Sequence, residues 1–185
     1  MADRKTAILD AAITAIASRG VRGLRVEEVA REAGVAVSLL YYHFGTREGL
    51  VRATLEHAND RAVTAVPVDA ATGFAAVERT LLAELDEEAR DTSVVWGEIL
   101  ASAMFEPGLR DQLRAANATW VDLVAERIRT GQADGSIRGD RDPQASAERL
   151  TALVDGLSDR WLAGLYERDR AVELLAEAVR TELLD

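Results

Sequence analysis

Between Val26 and Phe44 the chain reads VEEVAREAGVAVSLLYYHF, and Gly34 is the pivot of that stretch. One short helical pattern, about Val26 to Ala33, precedes the glycine, and a second, Val37 to His43, follows it. Two short helices joined by so tight a turn form a helix-turn-helix, an arrangement with few packing solutions. Gly34 suits a turn that needs positive φ, where a side chain is strained. Ala30 falls where the two helices cross closely. Val29, Val35 and Leu40 are spaced to fill the wedge between them, and Phe44 closes that small core. This leaves Val37, Ser38, Tyr41, Tyr42 and His43 with no core duty. Two of the chain's three tyrosines and one of its two histidines are in that remainder.

The rest of the 185 residues also reads as helix. Ile8, Ala11, Ala12, Ala15 and Ile16 recur at helical spacing and predict a first helix from about Asp3 to Arg19, with Gly20 beyond its end. A long fourth helix is predicted from Thr46, a good N-cap residue, to about Ala65. The stretch VPVDAATG breaks the chain after it. Further helices are expected near 71–90, 93–104, 107–130, 143–164 and 168–183. The Gly- and Asp-rich residues 130–143 read as a loop. The three prolines, Pro67, Pro107 and Pro143, all fall between helical patterns, where a helix stops or starts. No segment alternates as a strand would. The expectation is an all-α chain of about nine helices. A three-helix helix-turn-helix domain, residues 1–57, joins through the long helix to a helical ligand-binding and dimerisation domain, residues 58–185.

The formal net charge is −10, which looks hostile to nucleic acid. Its distribution is not: residues 1–57 carry eight Lys/Arg against seven Asp/Glu, and residues 58–185 carry fourteen against twenty-five. The relevant field is local, because physiological salt screens charges within about 8 Å. No cysteine is present, so thiolate chemistry and disulfides are excluded. Only His43 and His57 could serve as bases at neutral pH, and no His/carboxylate spacing resembles a metal site. No Gly-rich phosphate loop follows a strand. An enzyme is therefore not expected, nor a cofactor or metal. No run approaches the roughly 18 apolar residues of a membrane span, and the N-terminus lacks the apolar stretch of a signal peptide. A cytoplasmic protein without a membrane partner is expected.

The segment AILDAAITAIASRGVRGLRVEEVAREAGVAVSLLYYHFGTREGLV resembles the DNA-binding domain of the TetR family of transcriptional regulators. The AGV turn, the LYYHF end of the second short helix and the TREGL opening of the fourth carry the likeness. WGEILASAMFEPGLR and GSIRGDRDPQASAERLTALVDGL resemble, less sharply, the C-terminal domain of choline-pathway-repressor-type members. The resemblance implies a regulator that binds a pseudo-palindromic operator in double-stranded DNA as a homodimer and is released, as a repressor, by a small molecule of unknown identity. It puts the helix Val37–His43 in the major groove. Val37 and Ser38 would face base edges and Tyr41 would pack on bases. Tyr42, His43, Arg25, Thr46 and Arg47 would lie along the DNA backbone. The sequence departs from the family where Arg25 replaces a usual Thr or Ser, Ala36 a Ser, and Arg47 a Lys. With no Arg, Lys, Asn or Gln in the recognition helix, bidentate base readout is poor, and methyl contacts, Ser38 and DNA shape carry more of the specificity.

For the second domain the resemblance implies a dimer seam on the last two helices. Leu150, Val154, Leu157 and Trp161 recur every three to four residues, with Val172, Leu175 and Val179 on the final helix; the same stripe would also serve as core within one subunit. The remaining large side chains, Phe74, Trp96, Met104, Phe105 and Trp120, are candidates for an apolar effector pocket. Glu98 and Asn117 would be its orienting polar groups, although aromatics at helical spacing are more often ordinary core. The alternative to a regulator is a helical protein-interaction module that has lost DNA binding, a reading that the apolar recognition helix keeps open.

Overall fold

The computed structural model describes residues 4–65 and 73–184, and all regular structure among them is helical. The elements are α1 (Arg4–Gly23), α2 (Val26–Glu32), α3 (Val37–Phe44), α4 (Arg47–Ala65), α5 (Gly73–Leu82), α6 (Arg90–Ala103), α7 (Arg110–Asp134), α8 (Pro143–Leu162) and α9 (Arg168–Leu183). The expected break at VPVDAATG, with Pro67, lies outside the described residues apart from Gly73, as does Asp3.

The contacts divide the chain into two compact units, residues 1–61 with 94–116, and residues 62–93 with 117–185. This differs from one cut after residue 57. Val95, Ile99 and Ala103 of α6, together with Leu109, bury their side chains in the same apolar cluster as Ile8, Ile16, Leu50 and Leu55. Burial of apolar surface, not chain order, sets the membership.

In the first unit, α2 and α3 follow the predicted pattern closely. Val29, Ala30 and Leu40 are at most 1% exposed, and Val35 and Phe44 pack against the same cluster. The turn between them ends α2 in a Schellman arrangement. The Val35 amide donates to Ala30 O at 2.9 Å and the Gly34 amide to Arg31 O at 3.2 Å. Gly34 has φ 66° and open space where a Cβ would stand. Its glycine is thus required by backbone conformation alone. Thr46 caps α4 as expected, its Oγ1 accepting from the Gly49 amide at 3.0 Å.

The second unit is built on Val77, Leu81, Val124, Ile128, Leu150, Val154, Leu175 and Val179. Here the expected helix 71–90 is shorter: α5 stops at Leu82 and two 3₁₀ turns, Ala83–Leu85 and Glu87–Ala89, follow. Asp86 between them is extended, φ −82° and ψ 151°. Arg168 holds that corner, donating from Nε to Leu85 O at 2.7 Å and from its guanidinium to the Asp86 carboxylate. The residue that breaks the helix is therefore 82 positions away from Asp86 in sequence. The loop expected over 130–143 is also shorter, because α7 continues to Asp134. Ile137 folds back on that last turn, its amide donating to Gly131 O at 3.0 Å. Asp142 caps α8 by accepting from the Gln144 amide at 2.9 Å, with Pro143 in the first turn.

Gly34→Ala places a side chain at positive φ without removing any contact. It should lower stability by about 1–2 kcal/mol, read as a lower urea midpoint with an unchanged slope.

Candidate nucleic-acid interface and effector residues

An eight-residue helix has two faces to assign, and α3 assigns them cleanly. Leu40 is fully buried and Phe44 packs inward, while Ser38 and His43 are exposed, Tyr41 is 45% exposed and Tyr42 82%. Two adjacent tyrosines would not stay in water to this extent for packing reasons alone. The rings order one another: Tyr42 and His43 meet edge to face at 5.3 Å between centroids, and His43 lies 6.0 Å from Phe44. Arg25, at the N-cap of α2, is exposed and its side chain makes no cap hydrogen bond. Arg22, which the sequence reading overlooked, is exposed at the end of α1. The exposed edge therefore combines aromatic surface, hydroxyls and guanidinium groups, the chemistry that meets phosphates and base edges.

Two of the expected contact residues have other duties. Val37 is half-buried and packs against the core of its own unit, so it lends little area to a groove. Arg47 is also half-buried. Its Nε donates to Leu24 O at 3.2 Å and its guanidinium to Val21 O, so it clamps the α1–α2 junction. Thr46 is exposed, but its oxygen is engaged as the α4 cap. His57, on α4, is hydrogen-bonded to Asp10 at 2.8 Å, and Arg61 reaches the same carboxylate at 3.2 Å; its role is to join α4 to α1.

The effector candidates are divided between the two units. Trp96, Glu98, Met104 and Phe105 belong to the first unit, and Phe74, Asn117 and Trp120 to the second. Trp120 is buried and Phe74 packs against the same cluster, whereas Met104, Phe105 and Asn117 are exposed. Trp96 is half-buried with its Nε1 donor sequestered and unpartnered. Glu98 accepts a hydrogen bond from the Val21 amide, which occupies the carboxylate. The expected dimer stripe is corrected in the same way. Leu150, Val154, Leu157, Leu175 and Val179 are at most 5% exposed in the core of their own unit. Their apolar area is already removed from water, so a second subunit has nothing to cover there. Trp161 and Val172 keep partial exposure.

Sequence reading missed a polar group inside the second unit. Glu84, in the 3₁₀ turn that packs on α8, lies near Asp155 of α8. Thr151 and Ser158, one helical turn to either side of Asp155, are 4% and 6% exposed, and their hydroxyl oxygens have no partner. Nothing in the local sequence distinguishes these residues from solvated ones; only the packing of α8 buries Thr151 and Ser158 and draws Glu84 close to Asp155.

Comparison with known proteins matches both the N-terminal and the C-terminal part of the chain. A family model described as bacterial regulatory proteins, tetR family, matches residues 8–54, and one described as the C-terminal domain of BetI-type transcriptional repressors matches residues 75–184. The HTH-type transcriptional regulator UidR of Escherichia coli K12 is 25% identical over 173 residues, covering 91% of this chain and 85% of that protein. A Rhodococcus sp. protein described as a TetR-family transcriptional regulator superposes with a TM-score of 0.88 at 42% identity, over 99% of this chain and 100% of the other. A regulator from Saccharomonospora viridis, in complex with choline, superposes at 0.80 with 27% identity, over 98% and 97%.

Burial pushes the Glu84 carboxyl from its ordinary 4.5 up to about 7, and the negative charge of Asp155 adds to the effect. The folded chain then keeps a proton that the unfolded chain has lost, so stability is full below about pH 4.5 and falls as pH rises toward 7. The loss is on the order of 3 kcal/mol. Glu84→Gln should match the parent protein in urea melts at pH 4.5 and exceed it at pH 8. Equal pH dependence in both proteins would contradict the assignment.

Proposed function

The chain belongs to the TetR family of bacterial transcriptional regulators, with a C-terminal domain of the BetI type, and on that premise we propose that it is a homodimeric repressor released from a pseudo-palindromic operator by an organic cation. The observation that carries the DNA-reading part is the orientation of α3: Leu40 and Phe44 hold it from behind, while Ser38, Tyr41, Tyr42 and His43 face outward. Dimerisation supplies the second half-site, since one such helix reads too few base pairs to be selective. The surface for it is the outer side of α8 and α9, where Trp161 and Val172 keep exposed area, with Leu165 exposed on the link between them. The readout combines aromatic contact, one hydroxyl from Ser38 and DNA deformability, because the helix carries no bidentate side chain.

A cationic effector is supported by the Glu84 carboxylate, held near the half-buried Asp155, with the unpartnered hydroxyls of Thr151 and Ser158 on the same face of α8 as Asp155. Burial and the neighbouring Asp155 charge make the ionised form of Glu84 costly, and a cation entering beside Glu84 offsets that cost. The choline complex of the Saccharomonospora viridis protein, a relative of the same architecture, is consistent with this chemistry. The switch is a two-state one: the cation binds better to a conformation whose recognition helices do not match the operator. Clearing a mostly occupied operator takes several kcal/mol of differential affinity.

The DNA-reading role is tested by enriching duplexes from a random-sequence pool. A single motif should emerge, with affinity falling steeply as salt rises. Tyr42→Ala should weaken binding to that motif about tenfold without moving the urea midpoint, since the ring is 82% exposed. If no sequence is enriched, the helix-turn-helix serves protein contacts instead. Calorimetric titration with choline should give tighter binding at pH 8 than at pH 6, because ionised Glu84 is the binding form, and Glu84→Gln should remove it. Absence of heat with choline and with tetraethylammonium at both pH values excludes the cationic class.

A further inference from the structure

The junction between α1 and α2 turns on Val21, whose amide and carbonyl both take hydrogen bonds from side chains distant in sequence. α1 is interrupted at Gly20, φ 71° and ψ 169°, which turns the next amide, that of Val21, away from the carbonyls of its own helix. Its acceptor is the Oε2 of Glu98, in the middle of α6, at 2.9 Å. A Cβ on Gly20 would stand 2.6 Å from that same oxygen. The glycine therefore does two things: it permits the break, and it lets the carboxylate reach the exposed amide. The carbonyl of Val21 is engaged in turn. It accepts from the Leu24 amide at 3.2 Å and from the Arg47 guanidinium, while Arg47 Nε reaches Leu24 O at 3.2 Å. Arg47 is the first residue of α4, two positions after Gly45, whose amide closes the last turn of α3 on Tyr41 O at 2.9 Å. Side chains of Val21 and Leu24 are 2% and 1% exposed, so the junction cannot rotate without exposing apolar surface.

We propose that Glu98 is a positioning residue for DNA recognition. Its carboxylate fixes the α1–α2 junction, the junction presents two carbonyls to Arg47, and Arg47 sets the start of α4 and with it the end of the recognition helix. The amide and the carbonyl of the same residue, Val21, are held from opposite sides, so loss of either the Glu98 or the Arg47 bond frees the same turn. Any displacement of α6 that withdraws the carboxylate is read out as loss of sequence-specific binding. The inference rests on the DNA-reading role of α3 and goes beyond it by assigning control of that helix to a residue that touches no DNA.

The test uses the full-length protein and the duplex motif it enriches from a random pool, beside an unrelated duplex of equal length. Glu98→Met keeps the side-chain length and removes the acceptor; affinity for the motif should fall about tenfold or more, the scale of a lost hydrogen bond to a charged group, while affinity for the unrelated duplex stays within about twofold. Glu98→Gln retains an acceptor oxygen and should recover most of the loss. Arg47→Ala should cost a similar factor, and the double variant Glu98→Met/Arg47→Ala no more than the worse single one, since the two act in one chain. Amide exchange at Val21, slow in the parent, should accelerate in Glu98→Met and not in Glu98→Gln. Parent-like motif affinity in Glu98→Met overturns the proposal. So does an equal loss on both duplexes, or losses that multiply in the double variant. If the parent enriches no motif at all, what fails is the DNA-reading role itself.

Discussion

A helix of eight residues does not persist in water on its own account, since nucleating the first turn costs more than so few hydrogen bonds return. The recognition helix α3 exists because Leu40 is fully buried and Phe44, Val37 and Val35 pack behind it. That dependence explains its unusual composition. Three inward-facing positions are given to apolar side chains, so few remain for reading, and those few carry exposed aromatic and hydroxyl groups. The Schellman turn at Gly34 and the threonine cap at Thr46 fix where α2 ends and α4 begins. Between them, α3 has little freedom left other than to move with its neighbours.

The basic groups of the reading head are divided between two tasks. Arg25 is exposed at the N-cap of α2 and available to a phosphate. Arg47, also an arginine and only three residues past the end of α3, is held by Val21 O and Leu24 O. A planar guanidinium suits this second task, because it presents several donors in a fixed fork and can hold two carbonyls at once. The second unit shows the converse placement, with carboxylates brought inside. Glu84, Asp155, Thr151 and Ser158 interrupt a core otherwise made of Val, Leu and Ile. The hydroxyls of Thr151 and Ser158 are buried without partners, which is costly in a resting protein, and such costs concentrate where a ligand is to be met.

Much of the fold is legible in the sequence. The helical period of α1, the Gly34 pivot, Ala30 at the close crossing and the Thr46 cap depend on interactions within a few residues, which local sequence encodes directly. The exposure of Ser38, Tyr41, Tyr42 and His43 on α3 is legible too, because it follows from subtracting core duty along one short helix, whereas Val37, expected to face out, packs against the core. Less legible were the ends of α5 and α7. Nothing in ELDEEARD announces that Asp86 is extended; Arg168 at the start of α9 holds it so. The Gly- and Asp-rich stretch after Thr130 looked like loop, yet Ile137 packing on Gly131 keeps the last turn of α7 helical.

What the sequence by itself determined is the all-helical class, the helix-turn-helix and its outward face, because periodicity, glycine conformation and capping act over three or four residues. Only the tertiary structure decided which neighbour covers each amphipathic stripe. It placed Leu150, Val154, Leu157, Leu175 and Val179 in the chain's own core, gave Glu98 to the Val21 amide and Arg47 to the Val21 and Leu24 carbonyls, and sank Glu84 beside Asp155. An apolar stripe or a charged side chain carries no label for its partner. The partner is chosen when distant helices compete to bury apolar area, and hydrogen bonds then follow from the atoms that packing brings within reach.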